Sequence, residues 1–401
     1  MNPLANLQSR SAAALAPIMA AVFVAFLVIG MALPVLPLHV HRGLGFGTFL
    51  VGLVAGSEFA AAIASRVWAG RQSDARGSKR AVIAGLLIAA GSGLLYFFSL
   101  RFVTAPTIAV AILLLGRALL GVAESFIIVG AQSWGLAILG AQNTSKALAW
   151  IGSAMFAAFA AGAPLGTALY GRYGFTAIAL ATTLLPLTTL VFVAPLRRAP
   201  SAAREQASLL KVMAAVWVPG TASALSSIGL GAITAFSALL FVARGWAAWP
   251  AFTVFALTFI LSRILFGHFA DRFGGAKVAL ICALVEAAGL ALIAIAPAFA
   301  LALAGAALAG LGYSLVYPGL GVEAARLMPA QSRGLAMGAY TAFLDVALGF
   351  GTPALGLLGD HAGLGAIFGA SMLAALGAAA IAATLNPRAS AKRGCGAVAC
   401  S

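Results

Sequence analysis

Twelve apolar runs of roughly 20 residues each, parted by short basic or Gly/Pro-containing breaks, constrain this chain more than any other feature. A helix rises about 1.5 Å per residue, so about 20 apolar residues carry it across about 30 Å of hydrocarbon. The runs fall near 13–37, 47–68, 81–100, 106–130, 146–170, 174–195, 213–241, 249–269, 277–297, 299–322, 334–358 and 363–385. With 63% apolar and 8% charged residues, the chain has too little polar surface to cover a core in water. Average globular usage is about 45–50% apolar and about 25% charged, and lipid removes the conflict. The 46 glycines fit the close helix approach common in membranes. The first run follows Arg10 and exceeds the about 7–15 residues of a signal-peptide core, so it is read as an uncleaved span.

The net charge of +15 does not point to nucleic acid. Its basic residues sit in short clusters between spans, with no aromatic-basic stretch on which bases would stack. They read instead as topology signals. Threading the spans with both termini in the cytoplasm gathers nineteen Lys and Arg on that side and leaves four on the other, with Arg117 inside a span. The only long polar stretch inside the chain, around Arg197 to Lys211, falls near the midpoint. The expected organisation is a six-helix bundle over 1–195, a cytoplasmic linker over 196–212, a second bundle over 213–387 and a cytoplasmic tail over 388–401. Cys282 lies in an apolar run, and Cys395 and Cys400 lie in the tail. These thiols have neither metal-ligand spacing nor a nearby His. His39 and His41 lack a local acid, so no metal or cofactor is expected, and Pro34 and Pro37 are expected to shape the end of the first span.

The halves repeat each other. Ser65, Arg66, Gly70, Asp74 and Gly77 match Ser262, Arg263, Gly267, Asp271 and Gly274 at a constant offset of 197, with Lys79 and Lys277 close behind. Gly121, Ser125, Gly130, Gln142, Gly162 and Pro164 match Gly310, Ser314, Gly319, Gln331, Gly351 and Pro353 at an offset of 189. Two parallel six-helix repeats are the mark of a two-bundle transporter. The stretch Gly70 to Arg80 reads as the turn between spans two and three, its glycines permitting a tight turn and a close neighbour. Asp74 there suits the positive end of another helix.

Gly70-x3-Asp74-x2-Gly77-x-Lys79-Arg80 resembles the cytoplasmic loop signature of the major facilitator superfamily. Arg117-x3-Gly121 resembles that family's second motif, and Gly162-Ala163-Pro164-Leu165-Gly166 resembles the Gly-Pro element of its exporters. Gly116 to Gly121, Gly162 to Gly166 and Leu308 to Gly321 are also similar to bacterial inner-membrane permeases of the YhhS/YfcJ type. The resemblance implies an all-α fold of twelve helices in two pseudo-symmetric bundles, working by alternating access. It implies that Asp74 latches onto the start of span eleven near Gly334, and Asp271 onto span five near Lys146. In one departure, Gly166 is followed by Thr167 where exporters carry a second glycine.

Five ionisable residues fall well inside spans: Glu58, Arg117, Glu124, Glu286 and Asp345. Unpaired, they would cost on the order of 12–18 kcal/mol together, so they should face one another or a wet cavity. Arg117 and Glu124 share a helix face but stand roughly 10 Å apart along the axis, too far to pair directly. They either hold a substrate between them or pair with neighbouring helices. By resemblance, spans one, four, seven and ten surround the cavity, which singles out Arg117, Glu124 and Tyr313, the repeat counterpart of Glu124. Asp345 lies near mid-membrane, where a carboxylate withdrawn from water can carry a proton at physiological pH. Glu58 is a further candidate for the pathway, and Glu286 reads as structural.

The expected function is proton-coupled efflux of a small organic molecule by a monomer in the bacterial inner membrane. Proton-coupled import of a sugar or organic acid is the alternative. A membrane enzyme is disfavoured, because no Walker loop, His-Glu-x-x-His or Gly-x-Ser-x-Gly occurs.

Overall fold

The computed structural model describes residues 3–139, 144–196, 209–327 and 333–385, and among them there is helix but no strand. The helices of the first half are α1 (Pro3–Leu38), α2 (Thr48–Arg76), α3 (Ser78–Ser99), α4 (Pro106–Leu139), α5 (Thr144–Tyr173) and α6 (Phe175–Val193). Those of the second half are α7 (Leu209–Ala243), α8 (Pro250–Phe266), the short α9 (Phe269–Phe273), α10 (Gly275–Ile295) and α11 (Phe299–Arg326). They are followed by α12 (Arg333–Val346), α13 (Thr352–Ala362) and α14 (Leu364–Leu385). Among the described residues, eleven segments are long and apolar enough to cross a membrane. The twelfth span is α8, an apolar helix of 17 residues that α9 prolongs beyond Gly267 and His268. The all-helical, twelve-span expectation therefore holds.

Two spans depart from regular helix where proline removes a donor. Pro34 and Pro37 stand just before the π-helical turn His39–Gly43 that ends the first span. Pro353 follows a second π turn, Ala347–Gly351, which joins α12 to α13 within the eleventh. The expected end of span two near residue 68 is corrected: α2 continues to Arg76, so Gly70 lies in helix and the chain reverses only at Gly77.

The chain divides into two compact units, Met1–Phe46 with Leu53–Arg204, and Gly47–Gly52 with Glu205–Ser401. In the first, α1 packs on α5, and α3 packs on both α4 and α6. Leu15, Val22, Phe26, Leu86, Leu120, Ile127 and Ile151 form its core. In the second, α10 packs on α11 and α14, and α7 packs on α12 and α14. Its core includes Val216, Ala279, Val316, Leu320, Tyr340 and Ala378.

The repeat is visible atom by atom. A Cβ on Gly121 of α4 would fall on the carbonyl oxygen of Glu58 in α2, and one on Gly310 of α11 would fall on that of Phe255 in α8. Four residues on, Ser125 donates to the Ala62 carbonyl at 3.1 Å and Ser314 to the Phe259 carbonyl at 2.7 Å. Each pair keeps the offsets read from the sequence. Gly77 and Gly274 precede α3 and α10 with φ of +91° and +93°, a conformation that excludes a side chain at low cost. At Gly70 an added Cβ would meet nothing within 4 Å, so the expected close approach is not the reason for that glycine. Lys79 sends its ammonium to the carbonyls of Ala194 and Leu196, at 2.5 and 2.6 Å, where it complements the C-terminal end of α6. The side chains of Asp74 and Asp271, and those of Lys146 and Arg333 to Leu335, lie outside the described residues, and so does the expected latch.

Within the second unit, Asp360 near the end of α13 caps the first turn of α2. Its Oδ1 accepts from the Thr48 amide at 2.5 Å and the Thr48 hydroxyl at 2.7 Å, and its Oδ2 accepts from the Phe49 amide at 2.9 Å. The Thr48 hydroxyl also reaches the Gly356 carbonyl at 2.7 Å. A carboxylate on otherwise unpartnered amides is the N-cap arrangement, contributing about 0.5–2 kcal/mol. Asp360→Ala is expected to lower stability by about 1 kcal/mol. Thermal unfolding of the purified protein checks this, and an unchanged midpoint would show the cap to be idle.

Candidate functional site

The ionisable residues buried in the first unit converge between α2, α3 and α4. Glu58 and Arg117 are 0% and 1% exposed and form an ion pair with each other. The carbonyl contact at Gly121 explains why they meet. It brings α2 and α4 together at Glu58, and Arg117 lies four residues before Gly121 on α4. The Tyr96 ring lies against Gly116 and its hydroxyl is within electrostatic reach of Arg117. Half-buried Glu124 lies within electrostatic reach of both Arg66 and Arg117. Two cations thus meet two carboxylates, which offsets most of the penalty that unpaired charges would suffer. Beyond the ion pair, Glu58 Oε1 and Arg117 Nε are buried without a hydrogen-bond partner, and the Tyr96 hydroxyl lies close to both Arg117 and Ser92.

The internal repeat supplies a control. The counterparts of Glu58 and Arg117 are Phe255 and Ala306, so the same helix junction in the second unit is built without an ion pair at these positions. The architecture does not require the ion pair.

In the second unit, Tyr313 is buried, stacks near Phe255 and Phe259 with centroids 6.3 and 5.9 Å away, and meets the Ser227 hydroxyl at 3.2 Å. Arg263, the counterpart of Arg66, donates to the Ser314 carbonyl at 3.2 Å and lies over the Phe259 ring. Buried Asp345 sits one turn beyond Thr341, whose hydroxyl meets Tyr317 Oη at 2.6 Å. Glu286 is buried on α10 and accepts a hydrogen bond from Ser226 of α7 at 2.5 Å.

The structure therefore gathers Glu58, Arg117 and Glu124, and places Tyr313 and Asp345 in the second unit. Arg66 and Tyr96 are members that sequence reasoning misses. Arg66 reads in the sequence as one of the turn cations but lies inside α2, and its match with Arg263 is the signal that it belongs to the helix pattern. The Gly162–Gly166 motif is a packing surface. A Cβ on Gly162 would come within 2.8 Å of the Gly30 carbonyl carbon, and one on Gly166 would fall on the Met31 carbonyl, so α5 lies directly on α1. His39 stacks on Phe175 at 4.0 Å, and no group of three His, Cys, Asp or Glu side chains suited to a metal occurs among the described residues.

Twelve spans in repeated halves, with ionisable side chains buried in both, define a polytopic membrane transporter. The chain belongs to the Major Facilitator Superfamily, whose family model matches residues 18–251 and 245–395. An uncharacterized MFS-type transporter of Salmonella typhimurium is 42% identical over 366 residues, covering 91% of this chain and 94% of the relative. The uncharacterized MFS-type transporter YhhS of Escherichia coli K12 is 38% identical over 367 residues, covering 91% and 90%. The crystal structure of a variant of the nucleoside transporter NupG has a TM-score of 0.73 at 15% identity, covering 92% of this chain and 99% of that one. The D-xylose-proton symporter has the same score and identity, covering 90% and 96%. Both show the shared fold.

Proposed function

We propose that this protein is a proton-coupled exporter of a small organic molecule, acting by alternating access as a monomer in the bacterial inner membrane with both termini cytoplasmic. Its polar pathway comprises Arg117, Glu58, Glu124, Arg66 and Tyr96 in the first unit, and Tyr313 and Asp345 in the second. The carrying observation is the contrast between Glu58–Arg117 and its apolar repeat counterparts. A buried ion pair is weak support for stability, and one that the duplicated junction does without is better explained by function. The unfilled hydrogen-bonding capacity of Glu58 and Arg117 suits a ligand that carries hydroxyl or carboxylate groups, and Glu58 or Asp345 suits the proton. Asp74 and Asp271 would stabilise one state of the cycle by capping helix ends, as the family resemblance implies.

The test uses inverted vesicles from overexpressing cells, an imposed proton gradient and a pH-sensitive dye, screened against a compound panel. Export by antiport predicts that one class of compounds dissipates the gradient. Asp345→Asn is expected to transport the same compound without response to the gradient, and an unchanged proton dependence removes Asp345 from the pathway. Accumulation confined to right-side-out vesicles would reverse the direction and favour import of a sugar or organic acid.

A further inference from the structure

One groove on the first unit lies apart from the buried charges. It opens where α2 ends and α3 begins, holds about 440 Å³, and its lining includes Trp68, Gln72, Arg76, Arg80, Ile88 and Phe126. That lining is graded along the helices. Arg76 and Arg80 are exposed at the turn, and neither side chain makes a hydrogen bond or ion pair with another described residue. Two turns deeper, Trp68 is 51% exposed and stands edge-on to Phe126 at 4.8 Å, with Ile88 and Ala84 on the facing helix. Nearby Lys79 is occupied by the Ala194 and Leu196 carbonyls, whereas Arg76 and Arg80 are exposed and line the groove. The first turn of α3 holds no acid, and Gly77 caps it without a side chain.

We propose that this groove binds an anionic phospholipid, with the phosphate on Arg76 and Arg80 and an acyl chain along Trp68, Ile88 and Phe126. Guanidinium groups grip phosphate in a bidentate manner, and basic pockets between membrane helices suit acidic headgroups. Two arginines above an apolar floor that begins about two turns deeper match the depth profile of a lipid better than that of a soluble anion. A free phosphate would use the arginines and leave the apolar floor in contact with other lipids. Lipid binding here is independent of what the protein transports.

The full chain is reconstituted in liposomes containing brominated phosphatidylglycerol or brominated phosphatidylethanolamine, and quenching of Trp68 is taken as wild type minus Trp68→Phe. Wild type is expected to prefer phosphatidylglycerol by about tenfold, the scale of one charge-assisted hydrogen bond. Arg76→Gln with Arg80→Gln should bring that ratio close to one. Arg76→Lys with Arg80→Lys, which keeps charge and the fold should glutamine prove disruptive, should retain a reduced preference. Arg101→Gln, at the other end of α3, should retain it in full. Equal quenching by the two lipids, a preference that survives the glutamine pair, or loss of preference on adding inorganic phosphate alone would each overturn the proposal.

Discussion

Glu58→Gln is expected to abolish transport and to lower the stability of the purified protein by about 3–5 kcal/mol, because it leaves the Arg117 guanidinium buried without its counter-charge. Stability alone would not separate a functional pair from a structural lock. The repeat offers the discriminating variant. Glu58→Phe combined with Arg117→Ala copies the residues that occupy the equivalent junction, where Phe255 packs beside Tyr313. Replacing both members of a buried pair by apolar groups is often neutral or stabilising by about 1–4 kcal/mol. The double variant should therefore unfold near the wild-type temperature in mild detergent and remain inactive in the vesicle assay. Normal transport by that variant would show that the charges serve packing alone, and the proposed pathway would fall. Arg117→Lys keeps the charge without the planar fork and should fall between the two.

The second large effect concerns glycines pressed against a neighbour's backbone. Gly121→Ala, Gly310→Ala and Gly166→Ala each place a methyl group on a carbonyl of the facing helix, at Glu58, Phe255 and Met31. A flexible side chain could move aside, but a backbone carbonyl moves only with its helix. The expected cost is at or above the about 1–3 kcal/mol typical of overpacking. Gly121→Ala should also reduce activity, since its obstacle is the residue that carries the Arg117 counter-charge. Gly152→Ala and Gly171→Ala in α5 meet open space and should gain about 0.5–1 kcal/mol from helix preference. Unfolding midpoints of the five variants, ranked together, test the packing. A Gly121→Ala protein as stable as Gly171→Ala would contradict it.

Particular residues show where sequence reasoning stops. Seven-residue spacing puts Arg117 and Glu124 on one face and excludes a direct pair, but it leaves the partner open. Glu58 emerges as the partner of Arg117 only because Gly121 lets α2 touch α4. Arg66 stands at the end of the apolar run 47–68 and reads as one of the cytoplasmic cations, because the run hides eight more residues of helix beyond it. The loop signature also divides in space: Gly77 is needed for its positive φ, Lys79 for the end of α6, and Arg80 faces a separate groove. Asp360 draws no attention in the sequence, since the residues it caps lie 312 and 311 positions away.

From the sequence alone follow the membrane class, the twelve spans, the repeat and the set of charges that lipid would not tolerate unpaired. Those follow because run length, composition and residue offset are one-dimensional quantities, and the bilayer turns each directly into structure. The tertiary structure alone decided which charge neutralises which, which glycines are contacts and which are turns, and which cations line a groove. Helical periodicity assigns a residue to a face, but the neighbour on that face depends on how each helix is rotated and shifted against the next, and packing sets that.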